Sequence, residues 1–351
     1  MMNKLIFLKA YLRGFIVSKF KVQNNNAETN RYKDYGILNP SIGTANLGDL
    51  IIYDSVYSKL RDIYPDDLFT DFPTQLYTSH DAMISMNERH LLFVSGTNLL
   101  SSNLDRIFQW KIHFGHKRLL KNKVVLMGCG WWQYQGGINK YTAAIYKTIL
   151  SKDVLHSVRD EYTANKLKSI GINNVINTSC PTLWSLSPEK CKQIPISKAS
   201  EVVTTLTFYH KNSELDKTML RILSENYNKV YLWIQGMNDF HYYNEINENF
   251  HNIELISPSI EAYNNLLEKG NIDYIGTRLH AGVRALQKNI RTLILAVDNR
   301  AIEISKDVNL NVIKREDVLD MVNFIDNDYV TNIKLPTGNI DKWISSLNKY
   351  K

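Results

Sequence analysis

Cysteine is scarce in this chain of 351 residues: only Cys129, Cys180 and Cys191 occur. None forms a CxxC pair or a spacing shared with histidine. A disulfide framework and a cysteine-rich zinc site are therefore not expected, and a reducing compartment is. HExxH and the EF-hand loop are missing, and Gly43-Thr44-Ala45-Asn46-Leu47-Gly48-Asp49 lacks the GK[ST] that completes a P-loop. Nothing calls for a metal or a bound cofactor. No apolar run reaches the roughly 20 residues of a membrane span. Acidic residues are absent from residues 1–22, which hold Lys4, Lys9, Arg13, Lys19 and Lys21. Of the net charge of +7, +5 lies there, leaving +2 for the rest of the chain. Without a broad basic face, nucleic acid is not an expected partner.

Lys9 and Arg13 interrupt the apolar run of the N-terminal segment, and no small-residue cleavage site follows, so it is a poor signal peptide. Placed on a helix, Leu5, Leu8, Leu12, Phe15 and Ile16 share a face, with Lys9 and Arg13 at its edge. Lys19 also falls on that face and Ile6 falls off it. Two readings stay open: a helix lying on an anionic membrane surface, or one packed on the domain or a partner. The chain is expected in the cytoplasm, at the inner face of the membrane under the first reading. The polar run 23–31 reads as a linker.

Beyond it, strand-like and helix-like patterns alternate. Short buried strands are expected at 93–96, 124–127 and 155–158, with helices at about 47–62, 103–113, 139–151 and 160–170. The stretch 181–200 carries three of the eight prolines and reads as a connection. A second series follows, with strands near 202–208, 229–234, 253–256, 272–275, 292–297 and 311–314. Its helices fall at about 213–226, 240–248, 259–269, 280–287 and 300–306. Two βα series predict an α/β chain of two doubly wound parallel-sheet domains. The domains are placed at 31–185 and 195–335, after a basic segment and linker at 1–30. A last helix within 336–351 is expected to return to the first domain. Ligands of such sheets sit beyond the carboxyl ends of the strands.

Those ends hold the candidate site residues. Asn46 and Asp49 lie in the small-residue turn before the first long helix, where backbone N–H groups favour anions; a plain capped turn explains them as well. Arg159 ends the strand at 155–158, with Asp160 placed to cap the next helix; a surface Arg–Asp pair is the simpler alternative. The stretch Gly276-Thr277-Arg278-Leu279-His280 follows the apolar run 272–275. An arginine at such an edge needs solvent or an anion, and the helix behind it aims free N–H groups at the same point. Guanidinium groups bind phosphate and carboxylate bidentately, and His280 can move protons near neutral pH. Arg300 follows the next strand. Three cations there would suit a small anion of two or three charges, with Arg159 facing them from the first domain. Trp131-Trp132-Gln133-Tyr134 and the region 233–243 could stack on sugar faces or belong to the core.

The runs "NLGD" at 46–49, "SVRDEYTANKLKSIGI" at 157–172, "GTRLHAGVRAL" at 276–286 and "AVDNR" at 296–300 resemble the polysaccharide pyruvyl transferase family over roughly residues 35–310. The resemblance implies a GT-B-like pair of Rossmann-type domains facing a central cleft. It also implies transfer of the enolpyruvyl group of phosphoenolpyruvate to two sugar hydroxyls. Position by position, Arg159, Arg278 and His280 match residues that contact phosphoenolpyruvate or are essential in the family. Asn46 matches the asparagine of the N-terminal motif. Arg300 stands where lysine is usual, and Cys180-Pro181 where Asp-Pro is common. Gly276, Leu279 and Asp49 complete the implied substrate-binding set. The acceptor would be a sugar of a cell-surface polysaccharide or its precursor. Other readings are a glycosyltransferase using a nucleotide sugar, with Glu303 on the ribose, or a non-catalytic polysaccharide-assembly protein.

Overall fold

The computed structural model describes residues 32–350 and, ahead of them, residues 5, 6, 8–10, 12 and 16. The linker at 23–31 and most of the basic segment lie outside the described residues. Packing divides the chain into two compact units. The first comprises residues up to 44 with 53–181 and 336–351; the second comprises 45–52 with 182–335. Residues 45–52, counted above with the first domain, thus pack with the second.

The first unit holds β1 (Asp34–Asn39), β2 (Leu68–Pro73), β3 (Leu92–Ser95), β4 (Val124–Met127), β5 (His156–Val158) and β6 (Val175–Asn177). β1 to β4 form a parallel sheet in the order β2-β1-β3-β4. β5 and β6 pair with each other, and a bridge between Cys129 and Val158 carries the sheet on to them. Every residue of β3 and β4 is buried. That is why both read as unbroken apolar runs rather than alternating ones. β2 escapes the sequence pattern because it is an edge strand, half exposed and ending in Pro73. The apolar spacing at 103–113 predicts a helix that does not form. Leu104 N–H donates to Thr142 Oγ1 and Lys111 N–H to the Thr74 carbonyl, so neither joins a helical ladder. Leu104, Trp110 and Ile112 are nonetheless buried in the core.

The second unit holds β7 (Glu201–Thr204), β8 (Lys229–Trp233), β9 (Ile253–Ile256), β10 (Ile272–Gly276), β11 (Thr292–Ala296) and β12 (Val312–Lys314). They form one parallel sheet in the order β12-β11-β10-β7-β8-β9. This is the six-stranded Rossmann order, with its reversal between β7 and β10. Ligands of open α/β sheets bind at the carboxyl ends beside such a reversal. β7 stops at Thr204 rather than near 208 because the next residues bond to the loop after β10. The Thr205 carbonyl accepts from Thr277 N–H at 3.1 Å, and Thr205 Oγ1 accepts from Arg278 N–H at 3.2 Å. No helix among the described residues is long and apolar enough to cross a membrane.

Candidate active site

At the reversal point of the second unit, the loops after β7 and β10 run side by side. Gly276 makes this approach possible: a Cβ there would lie 2.7 Å from Thr205 N and Thr205 Oγ1. Thr207 and Thr277 share a hydroxyl hydrogen bond of 2.9 Å, and Tyr274 OH donates to the Arg278 carbonyl at 2.8 Å. The strand end is thus held from both sides before any side chain reaches toward a ligand.

Arg278 is buried, and its anion comes from the protein. Nη2 meets Asp239 Oδ1 at 2.5 Å and Oδ2 at 2.6 Å, while Nε donates to the Leu206 carbonyl at 2.9 Å. Burial pushes the Asp239 carboxyl up, and the Arg278 charge pulls it back down. Arg278 also starts the helix Leu279–Gln287 from an extended conformation, without a side-chain cap. The first N–H groups of that helix are therefore left for other acceptors. His280 is buried in its first turn, beside Leu279.

Arg300 lies one strand further, in the first turn of the helix Asn299–Val308. Its Nε donates to both oxygens of Asp298, at 3.0 and 2.8 Å, and Nη2 reaches Asp298 Oδ2 at 2.5 Å. Burial disfavours its charge, but Asp298 and Tyr209 outweigh that, and its pKa lies well above the ordinary value. Within this unit two arginines stand at adjacent strand ends, and each carries a carboxylate partner.

Asn46 and Asp49 belong to this unit too. Asn46 Oδ1 accepts from Gly48 N–H at 3.1 Å and from Gln235 Nε2 at 2.6 Å; Leu47 N–H donates to the Gln235 carbonyl. Asn46 therefore opens the helix Leu47–Ile63, with the buried Asp49 in its first turn. Gln235 follows β8, so this contact sits at the carboxyl edge of the same sheet. A Cβ on Gly48 would stand 2.7 Å from Gln235 Nε2, which explains the glycine in "NLGD".

Arg159 belongs to the first unit, and so do its partners Asn98 and Asp160. Nη2 donates to Asn98 Oδ1 at 2.7 Å, and Nε lies 3.3 Å from Asp160 Oδ2. Asp160 Oδ1 caps the helix Glu161–Lys168 by accepting from Thr163 N–H at 2.8 Å. Both side chains are buried, so the surface-pair alternative does not hold. Gly130 clears space for the guanidinium: a Cβ there would fall 2.1 Å from Arg159 Nη2.

Sequence patterns placed Asn98 at a strand end, in a turn that could be an ordinary one, but missed the roles of Asp239, Tyr209 and Gln235. Each lies just beyond a strand, but none stands in a distinctive run. Of the aromatic residues flagged for sugar stacking, two tryptophans are core residues, whereas Trp132 is half-buried and Tyr134 exposed. Trp131 and Trp233 are fully buried, and Trp233 stacks on Tyr263 with ring centroids 3.9 Å apart. Among the described residues, no three His, Cys, Asp or Glu side chains gather closely enough to hold a metal ion.

The sequence profile of the polysaccharide pyruvyl transferases matches residues 46–299, from the Asn46 turn to the helix after β11. The chain belongs to the polysaccharide pyruvyl transferase family. The match covers Asn46, Asp49, Arg159, Arg278 and His280, and stops one residue short of Arg300. No curated protein matches the chain. Among solved structures, the UDP-GlcNAc 2-epimerase of Methanocaldococcus jannaschii superposes with a TM-score of 0.52 at 13% identity, covering 91% of this chain and 99% of the other. The UDP-GlcNAc 2-epimerase of Neisseria meningitidis superposes with a TM-score of 0.48 at 12% identity, covering 90% and 99%. At such identity the first likeness shows a shared GT-B-type fold and nothing about substrate.

Proposed function

We propose that this pyruvyltransferase uses phosphoenolpyruvate as donor and forms a pyruvate ketal on two hydroxyls of a sugar. The observation that carries the reading is the pairing of Arg278 and Arg300 at adjacent strand ends, beside an uncapped helix N-terminus and the buried His280. Phosphoenolpyruvate offers a phosphate and a carboxylate to this edge. Guanidinium and backbone N–H groups bind both kinds of oxygen. Net charge at the site is low because Asp239 and Asp298 partner the arginines. Affinity then rests on directed hydrogen bonds more than on bulk attraction.

In this reading, a proton is delivered to C3 of the enol and C2 becomes cationic. A first sugar hydroxyl attacks C2 and loses its proton. A second hydroxyl then displaces phosphate from C2, its proton leaving with the phosphate, and closes the ketal. His280 is the proposed proton donor, to C3 or to the departing phosphate; Arg278 and Arg300 hold the donor's charged groups. Asn46, Asp49, Gly276 and Leu279 shape the same edge. The test is incubation with phosphoenolpyruvate and a panel of sugar glycosides, followed by phosphate release and product mass. A product heavier by a ketal-linked pyruvate supports the reading. Phosphate release without an adduct, or none at all, defeats it.

The N-terminal segment is proposed to touch an anionic membrane surface. Leu5, Leu8, Leu12 and Ile16 are each more than half exposed. Ile6, Leu12 and Ile16 also border an apolar groove of about 740 Å³ with Tyr77 and Met83. Exposed apolar side chains and unbalanced basic charge together favour acidic lipid. Co-sedimentation with vesicles containing acidic lipid should be seen at low salt and fall sharply at high salt. Equal binding to neutral vesicles would count against it.

A further inference from the structure

We infer that Tyr209 is a positioning residue that fixes the two site arginines relative to each other and so sets affinity for the donor. The inference rests on the donor site proposed above and deepens it. No motif covers Tyr209, which lies in the short turn Phe208–His210 after β7. Its ring faces Arg278, with the guanidinium carbon 4.7 Å from the centroid. Its hydroxyl accepts from Arg300 Nη2 at 2.7 Å. One side chain thus holds both arginines, Arg278 through its π face and Arg300 chiefly through its oxygen, the Arg300 guanidinium carbon standing further off at 5.9 Å from the ring centroid.

The remaining bonds show what this arrangement leaves for a ligand. Arg278 commits Nε to Leu206 and Nη2 to Asp239. Arg300 commits Nε and Nη2 to Asp298, and shares Nη2 with Tyr209. Among the described residues, Nη1 of neither arginine meets a hydrogen-bond partner. Each guanidinium is therefore clamped along one edge, and Tyr209 stands between them. The turn itself is anchored, because Phe208 N–H donates to Asp239 Oδ1 at 3.1 Å. Asp239 thereby holds both Arg278 and the backbone that carries Tyr209. The ring is 42% exposed, so it is not a packed core side chain. An aromatic left open on two arginines is placed to meet the ligand they bind.

The two contacts separate by substitution. Tyr209→Phe keeps the ring on Arg278 and removes the acceptor from Arg300. Tyr209→Ala removes both. Losing one hydrogen bond to a charged group corresponds to about tenfold in affinity. In the full-length protein, Tyr209→Phe should raise the KM for phosphoenolpyruvate about tenfold, with kcat changed by less than about threefold. Tyr209→Ala should raise KM by several-fold more, as expected from a lost cation–π contact of order 1 kcal/mol. Calorimetric titration with phosphoenolpyruvate should follow the same order, and the melting temperature of Tyr209→Phe should match that of the wild type. If Tyr209→Phe matches wild-type KM, or if the variants lose kcat at constant KM, the inference fails and the donor site stands. If the wild type shows no binding of phosphoenolpyruvate, the donor-site reading fails and takes this inference with it.

Discussion

Arg278 illustrates how a buried cation is made tolerable. Asp239 turns both carboxylate oxygens on Nη2, and removing one member of such a buried pair costs about 3–5 kcal/mol. Two other buried Arg–Asp pairs in the second unit, Arg291–Asp273 and Arg315–Asp216, use the same device. A buried pair is therefore not by itself a sign of catalysis. Arg278 differs by its place at the β7/β10 reversal, where the helix behind it has no side-chain cap. His280, in the first turn of that helix, is the proposed acid. His280→Ala should lower kcat by about 10²–10⁴-fold while largely sparing phosphoenolpyruvate affinity. A purified, folded variant with normal turnover would remove His280 from the mechanism. Arg278→Ala should weaken donor binding as well.

Helix starts carry much of the chemistry among the elements. Asp160 both caps Glu161–Lys168 and neutralises Arg159. Asn139 caps Lys140–Ile149 in the same unit, its Oδ1 accepting from Thr142 N–H at 2.8 Å; its Nδ2 donates to Asp105, whose carboxylate stays partly exposed rather than buried. Loss of a cap costs about 1 kcal/mol, whereas stranding a buried guanidinium costs several times that. Asp160→Ala should therefore destabilise the first unit by at least about 2 kcal/mol more than Asn139→Ala. Denaturant titration of the two variants would measure the difference. Equal losses would mean that Arg159 does not depend on Asp160.

Stability of the whole molecule should depend on pH through buried histidines. His156 Nδ1 accepts from Leu126 N–H at 3.2 Å, and Nε2 lies 2.8 Å from the Ser151 carbonyl. A second ring proton would point at a donor, so the neutral form is favoured. His113 and His116 likewise accept backbone N–H groups, from Gly115 and His113. Burial pushes His113 and His156 from 6.5 down to about 4, and His116 well below its ordinary value. In the unfolded chain they titrate near 6.5, so it gains protons first as pH falls. Stability is fully present above pH 6.5 and is lost as pH falls toward 4, by on the order of 3 kcal/mol each for His113 and His156. Buried Asp216, Asp239 and Asp273 have raised values and act oppositely, nearer the carboxylate range. His156→Gln should make the decline between pH 6.5 and 5 shallower by about one proton. An unchanged slope would show that His156 is not one of the groups responsible.

Local patterning determined the two βα series, because strands buried on both faces must be continuously apolar and helices must present an apolar stripe. It also determined that Arg159, Arg278, His280 and Arg300 stand at strand ends, since each follows an apolar run. It misplaced 103–113, where side-chain and distant backbone acceptors took the N–H groups a helix would have used. Only the tertiary structure decided which carboxylate partners each arginine, because Asp239 lies 39 residues from Arg278. It also moved Asn46 and Asp49 onto the second unit, through the Gln235 contact across 189 residues. Tyr209 emerged there as well, on a turn without a sequence signature. Periodicity records which side chains must be buried; it does not record which distant partner will satisfy a buried charge, and at this site that partner sets the chemistry.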